Sequence, residues 1–160
     1  MTVFYFRYEK FHAEETMNLT SNREITVHSV IDNLTDAGLP DGEPEINLFT
    51  SKALFEFKED RYEIKYDEKS EEYTTHCSLT IDKNHVILSR KGAVECDIVF
   101  EEGNTYNCLY RVPPYAFDMI VTTAKIRNSL SDSGGELRLI YSMNIGGQDK
   151  KVRMKIKIKE

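Results

Sequence analysis

No run of apolar residues in this chain approaches the roughly 18 that a membrane-spanning helix needs, and charges interrupt the apolar opening MTVFYFRYEKFHAEE. Neither a helical span nor the core of a signal peptide is expected. Cysteine is scarce. Cys77, Cys96 and Cys108 are an odd number without CxxC spacing, which disfavours a disulfide framework and fits reduced thiols in the cytoplasm. A positive balance is missing too. With 27 acidic residues against 21 basic ones, the formal charge of −6 would repel a polyanion overall, so neither a nucleic-acid nor a membrane partner is expected.

Signatures of chemistry are equally thin. There is no glycine-rich phosphate loop, no GxSxG elbow and no carboxylate pair in a recognisable setting. His12 and His28 are isolated, and His76 and Cys77, as strand neighbours, point to opposite faces, so no metal or cofactor is expected. Cys96 could meet His76 or His85 across a sheet, but its alternating apolar context reads as a small core residue. The expectation is a non-enzymatic protein.

What the sequence does contain is a period of two. At 160 residues and 40% apolar content it fits one domain able to bury its own core. Thr75 to Asp82 alternates strictly, with Cys77, Leu79 and Ile81 on one face. The last segment sets Val152, Met154, Ile156 and Ile158 against Arg153, Lys155, Lys157 and Lys159. Such alternation is the mark of a strand with one buried and one solvated face. Its lysines resemble an anion-binding stripe, but the acidic residues elsewhere make a solvated, cross-strand-paired face the expected reading.

Turn residues punctuate the alternation at Pro40-Asp41-Gly42, Lys58-Glu59-Asp60, Asp82-Lys83-Asn84, Glu102-Gly103-Asn104, Ser133-Gly134-Gly135 and Gly146-Gly147. They predict about ten strands, near 24–32, 45–57, 61–67, 73–82, 85–91, 93–101, 105–112, 116–129, 136–145 and 149–159. Nothing between them is long enough for a crossover helix, which excludes a parallel sheet. A one-sided sheet this wide would curl. The predicted fold is therefore all-β: an antiparallel up-and-down meander of about 8–10 strands closed into a barrel, which covers the inner face and removes the edges.

The barrel is expected over residues 24–160. Residues 1–23 read as an N-terminal extension or an added strand, and Met17 as an alternative start of translation. Pro113-Pro114 cannot donate to a ladder, so it marks a connection between the strands ending near Tyr110 and beginning near Ala116. As one rim of the barrel mouth, that corner would turn Tyr110, Arg111 and Tyr115 toward the opening.

The residues carry a family resemblance. HVILSRKGAV, a strand ending at Phe100 before Gly103, Tyr110-Arg111-x-Pro113, Phe117, Met119 and a long hairpin into Tyr141 together resemble the YwiB-like proteins, a bacterial family of unknown function. The resemblance covers roughly residues 24–159. Where that family commonly runs Arg-x-Pro-Tyr-Gly-x-Phe, this chain has Arg111-Val112-Pro113-Pro114-Tyr115-Ala116-Phe117, so a role that depends on glycine at that turn is not carried over. The resemblance implies a calycin-type, lipocalin-like barrel, a shape that in other proteins holds apolar ligands.

Within that frame Arg90 stands out. It keeps the parity of Val86 and Leu88 near the end of its strand, so its guanidinium would sit at the lip of an apolar barrel, able to grip a carboxylate or phosphate or to pair with a nearby acid. Arg111 follows the parity of Asn107 and Leu109 and has the same two possible roles. Tyr110, Tyr115, Phe117 and Tyr141 complete the candidate ligand-binding set, as aromatic residues able to line a cavity. The functional expectation is a small apolar or amphipathic anionic ligand inside the barrel. The alternative is a filled barrel that presents its surface to a protein partner.

Overall fold

The computed structural model describes residues 19–159. It contains ten strands: β1 (Leu19–Asn33), β2 (Glu45–Lys58), β3 (Arg61–Lys69), β4 (Thr74–Ile81), β5 (Val86–Gly92), β6 (Cys96–Phe100), β7 (Thr105–Val112), β8 (Tyr115–Asn128), β9 (Gly135–Ile145) and β10 (Gln148–Ile158). All pair antiparallel in one sheet of order β6-β5-β4-β3-β2-β1-β10-β9-β8-β7. Chain neighbours are thus sheet neighbours, and the first strand joins the last through nine register pairs, from Ile25 with Ile158 to Asn33 with Lys150.

Closure is nearly complete. The seam lies between β6 and β7, where Glu95 and Arg111 exchange two backbone hydrogen bonds of 2.9 Å. Farther along, Gly103 donates to the Thr123 carbonyl at 2.8 Å, and Thr123 donates to that of Asn104 at 3.1 Å. β6 covers only residues 96–100 of the expected 93–101, because Glu95 turns its backbone to β7 instead of to β5. Conversely, β1 begins at Leu19, so residues 19–23, read from sequence as extension, pair with residues 53–57 of β2. The remainder of the expected extension, with Met17, lies outside the described residues. Among the described residues no helix is long and apolar enough to cross a membrane.

Alternation explains which side chains enter. Along β4, Thr75, Cys77, Leu79 and Ile81 are buried while their neighbours are not. On β8 the inward parity changes: Met119, Val121 and Thr123 face in, a bulge falls between Thr123 and Lys125, and Ile126 then takes the inner position. Without that extra residue Lys125 and Arg127 would point into the core, where an unpaired charge is strongly disfavoured.

The core fills one end of the barrel. Phe55, Ile64, Leu79, Ile81, Phe100 and Leu137 are each at most 1% exposed, and burying such a side chain contributes about 1.5–3 kcal/mol of transfer free energy. The rings of Phe55 and Tyr62 stack there at 5.4 Å. Toward the other end the packing stops at Leu88, Met119 and Tyr141, with the Tyr141 ring 4.7 Å from that of Phe100.

Candidate functional site

Above that floor the barrel is hollow. A cavity of about 570 Å³ opens at the end formed by the C-terminal halves of β1, β3, β5, β7 and β9 and the N-terminal halves of the other strands. Its wall is mostly aliphatic and methionine-rich, including Val27, Ile31, Ile98, Met143, Val152 and Met154. Polar groups converge on it from several strands: Ser29, Asn47, Glu68, Thr75, Arg90, Tyr110 and Tyr141, with Lys69, Ser70 and Tyr73 on the rim. The β3–β4 turn that carries the rim is ordered by Ser70, whose hydroxyl accepts the Tyr73 amide at 3.1 Å. An apolar cleft with a few convergent polar groups has the general make-up of a small-molecule site.

Arg90 is the cation inside this cleft. It occupies the row that runs Tyr66, Cys77, Arg90, Cys96 across β3 to β6. The next inward position on β5 is Gly92, opposite Thr75 and, beyond it, Glu68. With no side chain at Gly92, the Arg90 guanidinium lies over β4 and its Nη2 donates to Glu68 Oε1 at 3.2 Å. The two side chains are 22% and 32% exposed. Nε of Arg90 is buried and has no hydrogen-bond partner among the described residues. Burial acts most strongly, to lower the guanidinium's pKa, but the Glu68 carboxylate, with smaller contributions from Tyr66, Cys77 and Cys96, raises it by more in sum, and Arg90 stays charged. Around this ion pair the phenols and thiols stay neutral: burial pushes the Tyr141 phenol and the Cys77 thiol each up to about 12, and raises Tyr110 and Cys96 as well.

Of the residues singled out from sequence, the structure brings Arg90, Tyr110 and Tyr141 together in the cavity. It leaves Arg111, Tyr115 and Phe117 outside. Tyr106, Cys108 and Tyr110 take the inward parity of β7, so Arg111 is exposed on the outer side of the seam, beside Glu95 and Asp97. Val112 pairs with Tyr115 across the Pro113-Pro114 turn, whose peptide bond is cis. Tyr115 is therefore at a hairpin tip and 67% exposed, while Phe117 is beyond the ring of lining residues and 41% exposed. The double proline is a hairpin connection and adds no side chain to the cavity.

Glu68, Phe49 and Tyr73 were missed from sequence and line the cavity. Glu68 carried a readable signal, because Ile64, Tyr66 and Glu68 share one face of β3, and an acid ending an apolar face needs a partner. The histidines are elsewhere. His76 faces Asp67 at 2.6 Å, and His85 Nε2 is 3.1 Å from Glu101, whereas Cys96 points inward beside Arg90.

Residues 34–158 match the family model described as "Domain of unknown function (DUF1934)". The chain belongs to this family. No curated protein matches it. Among solved structures it is similar to the ywiB protein from Bacillus subtilis, at 20% identity, with a TM-score of 0.78 over 92% of this chain and 96% of that one. This likeness shows a shared fold, and together with the family match it makes the chain a YwiB-like protein of a family whose function is unknown.

Proposed function

We propose that the barrel binds a small amphipathic ligand, its apolar part in the cavity and its anionic end on Arg90. The observation that carries this reading is the state of the guanidinium: it lies in a cleft walled largely by apolar side chains, with one contact to Glu68 and its Nε–H without a partner among the described residues. A buried donor left unpaired costs about 1–3 kcal/mol. A carboxylate or phosphate arriving from the mouth would add acceptors to the exposed part of the guanidinium, exchanging with Glu68, which is exposed enough to turn toward water. The volume suits a molecule of modest size, and the methionines at 143 and 154 adapt to irregular shapes.

The test has two parts. Native mass spectrometry of gently purified protein, compared with its denatured mass, would reveal a retained ligand and name its class. Titration with 8-anilinonaphthalene-1-sulfonate, an apolar anion, should then show saturable one-to-one binding that Arg90→Met weakens by roughly 10- to 100-fold, the value of a charge-assisted hydrogen bond, and that Arg111→Ala leaves unchanged. Equal affinity of wild type and Arg90→Met would sink the proposal.

A further inference from the structure

The outer wall of the barrel holds a feature unrelated to the cavity. Register places His28, Lys155, Arg138 and Arg127 side by side across β1, β10, β9 and β8, and the next outward row is Val30, Arg153, Ile140 and Lys125. These eight residues surround a groove of about 470 Å³. On β2 the rows continue into Leu48, opposite His28, and Ile46, opposite Val30, which are 70% and 63% exposed. Adjacent like charges across a sheet are destabilising, and among the described residues the only carboxylate paired with them is that of Glu136, 2.7 Å from Arg138 and 3.4 Å from Lys155. Lys125, Arg127 and Arg153 have no acidic partner within 4.0 Å among the described residues.

The paired, solvated face expected of β10 is therefore realised only in part: Lys155 and Lys159 have acidic partners, while Arg153 is flanked by Val30 and Ile140. The bulge on β8 completes the cluster by turning Lys125 and Arg127 outward. A chain of net charge −6 thus concentrates five arginines and lysines on one face and borders them with projecting aliphatic side chains.

We infer that this face docks on an anionic lipid bilayer. Clustered lysines and arginines are drawn to acidic headgroups, and isoleucine and leucine enter the headgroup boundary. A phosphate backbone would satisfy the cations but would leave Ile46 and Leu48 in water, and among the described residues lining the groove the half-buried imidazole of His28 is the single aromatic ring.

The experiment is co-sedimentation of the full chain with vesicles of phosphatidylcholine alone and of phosphatidylcholine mixed with phosphatidylglycerol, at low and high salt. Binding is expected only to the mixed vesicles and should weaken with salt. The variant Arg127→Gln/Arg138→Gln/Arg153→Gln should bind about a hundredfold more weakly, and Ile46→Ser/Leu48→Ser should also lose affinity. Circular dichroism melts confirm that each variant folds, as outer-face substitutions should. Arg90→Met should keep wild-type vesicle binding, which separates this inference from the cavity proposal. A labelled single-stranded oligonucleotide serves as the competing probe. Binding of the oligonucleotide that needs the arginines but not Ile46 and Leu48, without vesicle binding, would overturn the inference in favour of nucleic acid. Binding to neither probe overturns it outright.

Discussion

Arg90 on β5 reaches across β4 to Glu68 on β3, Nη2 to Oε1 at 3.2 Å, at the mouth of the barrel. Two strand spacings separate the parent backbones, about 9–10 Å, and only a long side chain passing over β4 spans them. The pair closes one side of the cavity while leaving part of the guanidinium's donor set unused.

Glu68→Gln tests that relationship from the acidic side. Removing the carboxylate should lower stability by about 1 kcal/mol, the pair being partly solvated, while raising the affinity for 8-anilinonaphthalene-1-sulfonate because the anion no longer displaces a competitor. Urea denaturation and fluorescence titration on the same protein give both numbers. A fall in probe affinity would mean that Glu68 helps hold the ligand.

Acid should weaken the β4–β5 turn. The Asp82 carboxylate accepts the amides of Asn84 at 2.9 Å and His85 at 2.8 Å, and the bond from Asn84 is the main cause holding its pKa below the usual carboxylate range. A depressed folded-state pKa adds stability that is fully present above the unfolded value, about 3.9, and is lost as pH falls through the folded value. Asp82→Ala should cost about 1 kcal/mol at neutral pH, and the difference from wild type should shrink below about pH 4. Urea midpoints at several pH values would show it.

Gly92→Ala should be the more damaging of two glycine substitutions. Gly92 has φ +122°, and a Cβ there would lie 2.5 Å from the Thr74 carbonyl oxygen, whereas at Gly103, with φ +81°, a Cβ would meet nothing within 4 Å. Gly103→Ala should cost about 1 kcal/mol for the backbone conformation alone. Gly92→Ala adds a backbone clash and should cost at least about 2 kcal/mol. Thermal melts that rank the two in the opposite order would refute this account.

The three thiols should resist alkylation at neutral pH in the folded protein. Burial raises all of them, Cys77 to about 12 and Cys108 to about 11, so the thiolate fraction that attacks iodoacetamide is very small. Intact mass after labelling should show no adduct in buffer and up to three in urea. A rapid native adduct would mark a thiol in a more reactive setting.

Period-two alternation and turn residues determined the number of strands, their approximate bounds, their antiparallel sense and the inward face of most of them, because a strand has only two faces and apolar residues choose one. The same logic placed Arg90 inside. Periodicity fixes the face but not the depth along the barrel axis, so it could not separate the filled end, where Phe100 lies, from the hollow end, where Tyr110 and Tyr141 lie. Nor could it place Phe117, which has the parity of Met119 but falls beyond the cavity. Partners distant in sequence were decided only by the tertiary structure: the closure of β1 on β10, the reach of Arg90 to Glu68, and the convergence of Lys125, Arg127, Arg138, Arg153 and Lys155 from three strands. Each depends on register between strands, which is set by the packing of the whole barrel and not by any single segment.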